Sequence, residues 1–204
     1  IVDSSCGHTK SSPIGTVDSP FNPIALALGA NGTFVARTLD RDPKHQQEIY
    51  KRAHAHKGCS LVEIYQNCNV FNDGAFEIFT DKASKPVETL FLEQGKPLVF
   101  GANKEKGIKL DGFKPVVVDL AEGDSADDCW IHDDHDFYKA QILVRMFDDP
   151  NIAGHLPRPF GVFYETERAC YEDQMQMQID EVIAKKGLGD LNKLLRGGET
   201  WTIS

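Results

Sequence analysis

A polar segment at residues 66–74 contains the side chains with the clearest capacity for chemistry. They are the thiol of Cys68 and the polar groups of Gln66, Asn67, Asn69, Asn72 and Asp73. The preceding residues 60–65 are typical of a strand, and open α/β sheets bind ligands beyond the carboxyl ends of parallel strands. Because Asn, Asp and Gly are also ordinary turn residues, the segment alone leaves a ligand site and a plain turn both open.

A second polar segment, residues 132–136, has the composition of a metal site. It contains two histidines, His132 and His135, and three aspartates, and such a set would suit zinc or non-haem iron. The segment also precedes a predicted helix, where Asp side chains cap free backbone N–H groups. Ligands so close in sequence seldom all converge on one ion, so we expect helix capping here rather than metal binding.

The cysteines argue against two common structural devices. They are Cys6, Cys59, Cys68, Cys129 and Cys170, and no two of them have C-x-x-C spacing. An odd number argues against a disulfide framework, and the spacing argues against a self-contained zinc site. A reducing cytoplasm is therefore the expected setting. Each cysteine except Cys68 is expected to be a small buried hydrophobe.

Helices and strands alternate in the stretch that leads to Cys68. The predicted elements are helices over 20–31 and 43–56 and strands over 33–38 and 60–65. Asn22 is the expected cap of the first helix, and Pro23 is expected in its first turn. Short turns between alternating helices and strands are typical of a parallel α/β sheet.

The pattern changes after residue 80. Short β segments are predicted at 87–92, 97–100, 107–110 and 115–120, followed by a helix over 137–147, a strand at 161–164 and helices over 171–186 and 188–196. The closely spaced β segments predict a meander of hairpins. In the helix over 171–186, an apolar face is expected to pack in a core. Its residues are Met175, Met177, Ile179, Val182 and Ile183.

Composition excludes several classes of partner. The 204 residues carry 22 Lys and Arg against 31 Asp and Glu, a formal net charge of −9. Such an acidic chain is a poor candidate for binding nucleic acid or an anionic membrane surface. No stretch approaches the roughly 20 apolar residues that a membrane-spanning helix needs. The chain begins at Ile1 rather than Met, and we expect it to be part of a longer protein.

Residues 64–76 resemble the matching stretch of a known family, the beta subunits of 2-oxoglutarate:ferredoxin oxidoreductases. This stretch runs from Ile64 through Asn67-Cys68-Asn69 to Phe76. Further similarity lies at residues 9–15, 20–30, 34–37 and 96–101, and in the tail at 194–202. The similarity is densest over residues 9–76, and its cysteine segment is its most specific part.

The resemblance implies a fold and an organisation into domains. The fold is the α/β thiamine-diphosphate-binding fold, with a partial doubly wound parallel sheet followed by a β-hairpin meander and C-terminal helices. Residues 1–80 would be the C-terminal half of the thiamine-diphosphate-binding domain, and residues 81–204 an extension of meander and helices.

The resemblance also implies an activity. The family acts with an alpha subunit to decarboxylate a 2-oxoacid oxidatively, here expected to be 2-oxoglutarate, and joins the acyl group to coenzyme A. Electrons pass through a [4Fe–4S] cluster to ferredoxin, which makes the expected enzyme a 2-oxoglutarate synthase that uses thiamine diphosphate and Mg²⁺. Two alternatives stay open: a non-catalytic docking module of such a complex, or specificity for pyruvate or another 2-oxoacid.

Three residues are implied as parts of this site. Cys68 matches the family's fourth cluster cysteine, which suits the four-cysteine ligation of iron–sulfur clusters. Lys10 is a candidate for contacting an anionic group of cofactor or substrate, and Asn72 for lining the cofactor cleft. The family's C-x-x-C and Gly-Asp-Gly segments are not found in this sequence, so the other cluster ligands and the Mg²⁺-diphosphate site are expected upstream of Ile1.

Overall fold

A computed structural model describes residue 14, residues 21–71, 73–147 and 155–197, and residues 201 and 203. The chain divides into two compact units, one ending at Glu167 and one beginning at Arg168. The proposed domain boundary at residues 80 and 81 stays a prediction.

The first helix and strand form where local signals predict them. Helix α1 spans Pro23–Gly29, and strand β1 spans Phe34–Leu39 with every residue buried. The Asn22 side chain caps α1 by accepting a hydrogen bond from the Ala25 backbone N–H at 3.0 Å. Its amide nitrogen donates to the Val144 carbonyl at 3.0 Å, which ties the start of α1 to a distant part of the chain.

The second helix and strand repeat this arrangement. Helix α2 spans Pro43–Ala55 and strand β2 spans Ser60–Tyr65. β2 runs parallel to β1 with Phe34 opposite Ser60 and Leu39 opposite Tyr65, so both strands end at the same edge of the sheet. The predicted parallel pairing is therefore confirmed for these two strands.

A short helix, α3 (Lys85–Glu88), leads directly into strand β3 (Thr89–Phe91), after a 3₁₀ turn at Glu77–Phe79. The strands that follow are β4 (Val99–Phe100), β5 (Lys106–Asp111) and β6 (Lys114–Asp119). They form an antiparallel three-stranded sheet in chain order, which is the predicted meander. β3 was expected in the same meander, but it pairs elsewhere.

The main sheet is completed from the later part of the first unit. After a 3₁₀ turn at Ala126–Asp128 come helix α4 (Phe137–Leu143) and strand β7 (Arg158–Glu165). The strand order is β2-β1-β7-β3, with β7 antiparallel to β1 and parallel to β3. The sheet is therefore mixed. β3 belongs to it because Thr89–Phe91 pair with Arg158–Phe160 of β7, and in that position Thr89 and Leu90 are buried.

β3 and β7 approach each other closely at a glycine. Gly161 has a φ of +134°, and a Cβ at this position would lie 2.8 Å from the Leu92 carbonyl oxygen. A larger residue would have to push the two chain segments apart, so glycine permits this contact.

The second unit contains helices α5 (Tyr171–Lys186) and α6 (Leu191–Arg196), and neither contains a buried residue. The prediction that Met175, Ile179 and their neighbours face a core is wrong for this unit. Their exposed fractions run from 37% to 62%. A unit this small offers its own helices almost no interior to pack against. Among the described residues, no helix is long and apolar enough to cross a membrane.

Candidate functional site

The carboxyl ends of β1 and β2 bring two polar segments together. Beyond β1, the Asp40 backbone N–H donates to the Tyr65 carbonyl at 3.1 Å. The Asp40 carboxylate accepts a hydrogen bond from the Asn67 backbone N–H at 3.1 Å. The chain after β2 is thus anchored to the chain after β1, as expected for a binding edge of parallel strands.

Asn67 organises the loop that follows β2. Its amide nitrogen donates to the side-chain oxygens of Asn69 at 2.8 Å and of Asp73 at 2.9 Å. Its amide oxygen accepts from the Gly74 backbone N–H at 2.9 Å. One side chain therefore closes the loop from inside. The sequence includes Asn67 in the polar segment but does not reveal this closing role, although Asn and Asp-Gly are turn residues.

Cys68 lies inside this closed loop and is half-buried. Its position at the carboxyl edge of the sheet agrees with the predicted place for a ligand. Within the described residues, no group of three or more His, Cys, Asp or Glu side chains is arranged to hold a metal ion. The role of Cys68 as a cluster ligand stays a prediction.

The other two predicted site residues, Lys10 and Asn72, lie outside the described residues. Their roles are taken up below as proposals.

An aromatic cluster supports the loop from below. The Tyr65 ring stacks on Phe76 with ring centroids 4.5 Å apart and meets the edge of Phe160 at 5.5 Å. Phe79 is buried against the same rings. These contacts fix the last residue of β2 and the far end of the loop.

Two buried arginines lie among these rings. The Arg37 guanidinium is 5.2 Å from the Tyr65 ring centroid, and the Arg158 guanidinium is 4.3 Å from that of Phe147. Both residues are 1% exposed. These two arginines were not predicted as site residues. An arginine within an otherwise apolar strand is nevertheless a visible signal, because a buried charge requires a partner.

Arg37 has a defined partner. Its Nε donates to a Glu63 carboxylate oxygen at 2.6 Å, and its Nη1 donates to the Pro159 carbonyl at 3.3 Å. The two charged side chains are 2% and 8% exposed. This pair joins β1, β2 and β7 directly under the site.

A further ion pair lies beside this edge, where Lys85 Nζ is 3.0 Å from an Asp42 carboxylate oxygen. Burial raises the pKa of Asp42, but the hydrogen bonds from Lys85 and the His45 backbone N–H outweigh it and hold this pKa below its ordinary value. Asp42 therefore stays charged, caps α2 and holds α3 close to it.

The open space near the loop is small. A cavity of about 30 Å³ lies between Asp40, Asn67 and Asp73, which is room for about one water molecule. A cleft of about 850 Å³ begins at Lys85 and continues between β3 and β4. Lys96 and Lys104 line it together with Phe91. Of these two spaces, the cleft is the one large enough for an organic ligand.

The histidine and aspartate segment before α4 serves structure, as predicted. Asp136 caps α4 by accepting hydrogen bonds from the backbone N–H groups of Tyr138 and Lys139 at 3.1 and 3.0 Å. His132 Nε2 is 2.9 Å from the Val162 carbonyl. Asp134 accepts from Arg52 at 2.8 Å. The side chains are directed to different partners and do not converge.

Comparison with known proteins identifies relatives over almost the whole chain. The 2-oxoglutarate oxidoreductase subunit KorB of Mycobacterium tuberculosis is 36% identical over 206 aligned positions, which cover 96% of this chain and 52% of that protein. A 2-oxoglutarate synthase subunit KorB of Archaeoglobus fulgidus is 37% identical over 52% of this chain and 34% of its own length. The chain belongs to the beta-subunit family of the 2-oxoacid:ferredoxin oxidoreductases. It spans about half the length of the first of these relatives.

A solved structure supports the fold. The 2-oxoglutarate:ferredoxin oxidoreductase from Magnetococcus marinus, solved with 2-oxoglutarate, coenzyme A and succinyl-CoA bound, superposes with a TM-score of 0.58 at 19% identity. The match covers 93% of this chain and 48% of that chain. The predicted family and fold class are therefore confirmed. No protein-family model matches the sequence.

Proposed function

We propose that this chain is part of the beta subunit of a 2-oxoglutarate:ferredoxin oxidoreductase. The complete enzyme, with an alpha subunit, would decarboxylate 2-oxoglutarate oxidatively and form succinyl-CoA from coenzyme A. The two electrons would leave one at a time through a [4Fe–4S] cluster to ferredoxin. The observation that carries this proposal is the 36% identity to a 2-oxoglutarate oxidoreductase subunit over 96% of the chain. The substrates in the Magnetococcus marinus structure support the choice of 2-oxoacid.

Cys68 is the residue we assign to the cluster. When bound, the cluster would accept and release single electrons. Its four iron atoms take four thiolates in the usual ligation, so Cys68 would supply one of them and other residues the rest. The half-buried thiol and the loop closed by Asn67 fit this role, because a metal ligand needs a fixed position. The buried cation of Arg158, 5.9 Å from the ring of Tyr65 at the end of β2, would favour the negative charge that a thiolate-bound cluster brings.

Thiamine diphosphate and Mg²⁺ are proposed to bind to other residues. Mg²⁺ prefers several oxygen ligands, and no group of three acidic, histidine or cysteine side chains is arranged for a metal ion within the described part of the chain. We propose Lys10 as a contact for an anionic group of the cofactor or substrate, and Asn72 as a lining residue.

A cytoplasmic setting is part of the same proposal. Cys59 is exposed, and neither it nor Cys129 nor Cys170 forms a disulfide. Unoxidised exposed thiols and an oxygen-sensitive cluster both fit a reducing compartment.

The cluster assignment is tested by two matched cysteine variants of the full-length protein, produced anaerobically with its alpha subunit. Cys68→Ser should lose the visible iron–sulfur absorbance and the bound iron, because a serine hydroxyl replaces one of the four thiolates. Cys59→Ser should keep both, since Cys59 precedes β2 at the opposite edge of the sheet. Equal iron content in the two variants would exclude Cys68 as a ligand.

The substrate is tested separately by turnover. The full complex should reduce ferredoxin in the presence of coenzyme A with 2-oxoglutarate as the preferred substrate over pyruvate and a branched-chain 2-oxoacid. Preference for another acid would change the specificity and leave the family intact. A complex that binds no cluster and turns over none of the three acids would favour the non-catalytic docking module.

A further inference from the structure

Helix α5 presents an apolar stripe that nothing in its own unit covers. The sixteen-residue helix has no buried residue. The stripe consists of Tyr171, Met175, Ile179, Val182 and Ile183, whose exposed fractions range from 37% to 71%. At 3.6 residues per turn, these five side chains fall within an arc of about 120°, the width of a helix face that packs against another element.

The charges of α5 are ordered along the same helix. Glu172 and Asp173 lie in its first turn, and Lys185 and Lys186 lie in its last turn. Ile179 is at the centre of this pattern, because Glu172 and Lys186 lie equally far from it, as do Asp173 and Lys185. The helix is therefore acidic at one end, basic at the other and apolar along one side.

We propose that α5 binds α5 of a second copy of this chain in an antiparallel pair, with the two-fold axis at Ile179. In such a pair, Glu172 lies level with the partner's Lys186 and Asp173 with the partner's Lys185. Met175 lies level with the partner's Ile183, and the two Ile179 side chains meet on the axis. A two-fold contact of this kind uses the same patch on both copies, so the patch has to be self-complementary.

The self-complementary charge order decides in favour of a second copy. Two identical helices that pack side by side in parallel would place acidic ends together and basic ends together, and like charges repel. The antiparallel arrangement brings Glu172 and the partner's Lys186 together on the stripe side, which gives one attractive pair at each end. Asp173 and Lys185 lie outside the 120° arc on opposite sides of it and contribute only to the charge of their ends. A different partner would need both an apolar stripe and the reversed charge order, whereas a second copy has them by construction.

Burial supports the same conclusion. The second unit, which begins at Arg168, has no buried residue among those described. Pairing of α5 would give each copy an interface at the usual helix–helix separation of about 8–10 Å.

Acidic residues at a helix start and basic residues at its end also stabilise a single helix through its dipole. The Lys185 Nζ to Glu181 carboxylate distance of 3.5 Å shows that local pairing occurs as well. A test must therefore separate helix stability from pairing, and charge reversal does so.

The first experiment is disulfide trapping in the full-length protein with its alpha subunit. Ile179→Cys should form a disulfide between two copies of this chain under mild oxidation, because the two positions meet on the proposed axis. Met177→Cys is the matched control, since it is an exposed apolar residue on the other side of α5. We expect at least about tenfold more trapped dimer for Ile179→Cys than for Met177→Cys or wild type. Equal trapping at both positions, or trapping of Ile179→Cys only to the alpha subunit, would overturn the proposal.

The second experiment reverses charges in the Ile179→Cys background. One variant carries Glu172→Lys and Asp173→Lys, so that both ends of α5 are basic. The other carries Lys185→Glu and Lys186→Glu, so that both ends are acidic. Each variant alone should trap at least about threefold less dimer than Ile179→Cys without the charge changes. An equal mixture of the two variants should restore trapping, with one copy of each variant in the dimer. A melted helix would not recover on mixing, so failure of the mixture to recover, or full trapping by either variant alone, would refute the pairing.

Discussion

Arg37 shows how single residues hold the site that Cys68 occupies. Its buried guanidinium binds Glu63 and the Pro159 carbonyl, and it lies over the Tyr65 ring. Asn67 closes the loop around the cysteine through its own side chain. The position of Cys68 therefore depends on Arg37 and Asn67, whose roles are structural. Substitutions of these two residues should lower the stability of the folded protein.

We expect Arg37→Met to destabilise the protein by about 3–5 kcal/mol, because it leaves the nearly buried Glu63 carboxylate without its cation. Glu63→Gln should cost a similar amount for the reciprocal reason. The double variant Arg37→Met with Glu63→Met should recover most of the loss, since apolar residues replace both charges. Urea unfolding of the four proteins measures this. If the double variant loses the sum of the two single losses, the ion pair is not the source of the effect.

The position of Cys68 could be predicted from the sequence, whereas the residues that surround it could not. The strand–turn pattern and the resemblance located the thiol at the carboxyl edge of the sheet. The arginines beside Tyr65 come from β1 and from the start of β7, which lie far apart in sequence. The two arginines come together because these two strands pair, and no local sequence pattern predicts that pairing.

The elements divide in the same way into local and non-local features. The caps Asn22 and Asp136 and the parallel pair β1 and β2 follow from neighbouring residues, and the structure confirms them. The place of β3 was predicted wrongly because its partner is β7, a strand separated from it by the whole meander. The burial of α5 was predicted wrongly because its stripe has no partner within its unit.

Strand β5 offers a test of packing between an element and a loop. A Cβ added to Gly107 would lie 2.3 Å from the Cys129 sulfur, and its φ requires no glycine. Gly107→Ala should therefore destabilise the protein by about 1–3 kcal/mol through overpacking alone.

The matched control removes the sulfur. Cys129→Ala should cost little more than the loss of one small buried group, and the double variant Gly107→Ala with Cys129→Ala should be more stable than Gly107→Ala alone. Thermal unfolding compares the three variants. If the double variant instead loses the sum of the two single stability losses, the Cys129 sulfur is not the atom that the added Cβ overpacks against. The same burial raises the pKa of the Cys129 thiol, so we expect this cysteine to be unreactive.

For the molecule as a whole, buried histidines couple folding to pH. His132 donates through Nε2 to the Val162 carbonyl, and its Nδ1 has no hydrogen-bond partner. Burial lowers the pKa of His132 below its ordinary value of 6.5, because protonation would bury an unpaired N–H and a charge. Burial likewise lowers the pKa of His45, whose Nδ1 lies 2.8 Å from the Thr38 hydroxyl.

The contribution of His135 to folding stability has the opposite pH dependence to those of His132 and His45. The hydrogen bond to the Glu165 carbonyl raises its pKa above 6.5, so its contribution is present at low pH and is lost as pH rises through the raised value. His135 is largely exposed, and solvent screening makes its contribution the smaller one.

The balance predicts a protein that loses stability in mild acid. The contributions of His132 and His45 are complete above pH 6.5 and decrease as pH falls from there through their lowered pKa values, because the unfolded chain binds the protons first. Each histidine can contribute a slope of at most about 1.4 kcal/mol per pH unit.

His132→Gln keeps a donor for the Val162 carbonyl but cannot be protonated. Urea unfolding between about pH 7.5 and 5.5 should therefore show a lower overall stability with a flatter pH dependence for this variant than for wild type. His135→Gln should leave the acid-side slope in place or make it steeper, because it removes a histidine whose raised pKa stabilises the protein at low pH. A slope unchanged in His132→Gln would mean that the acid sensitivity in this pH range comes from other groups, such as His45.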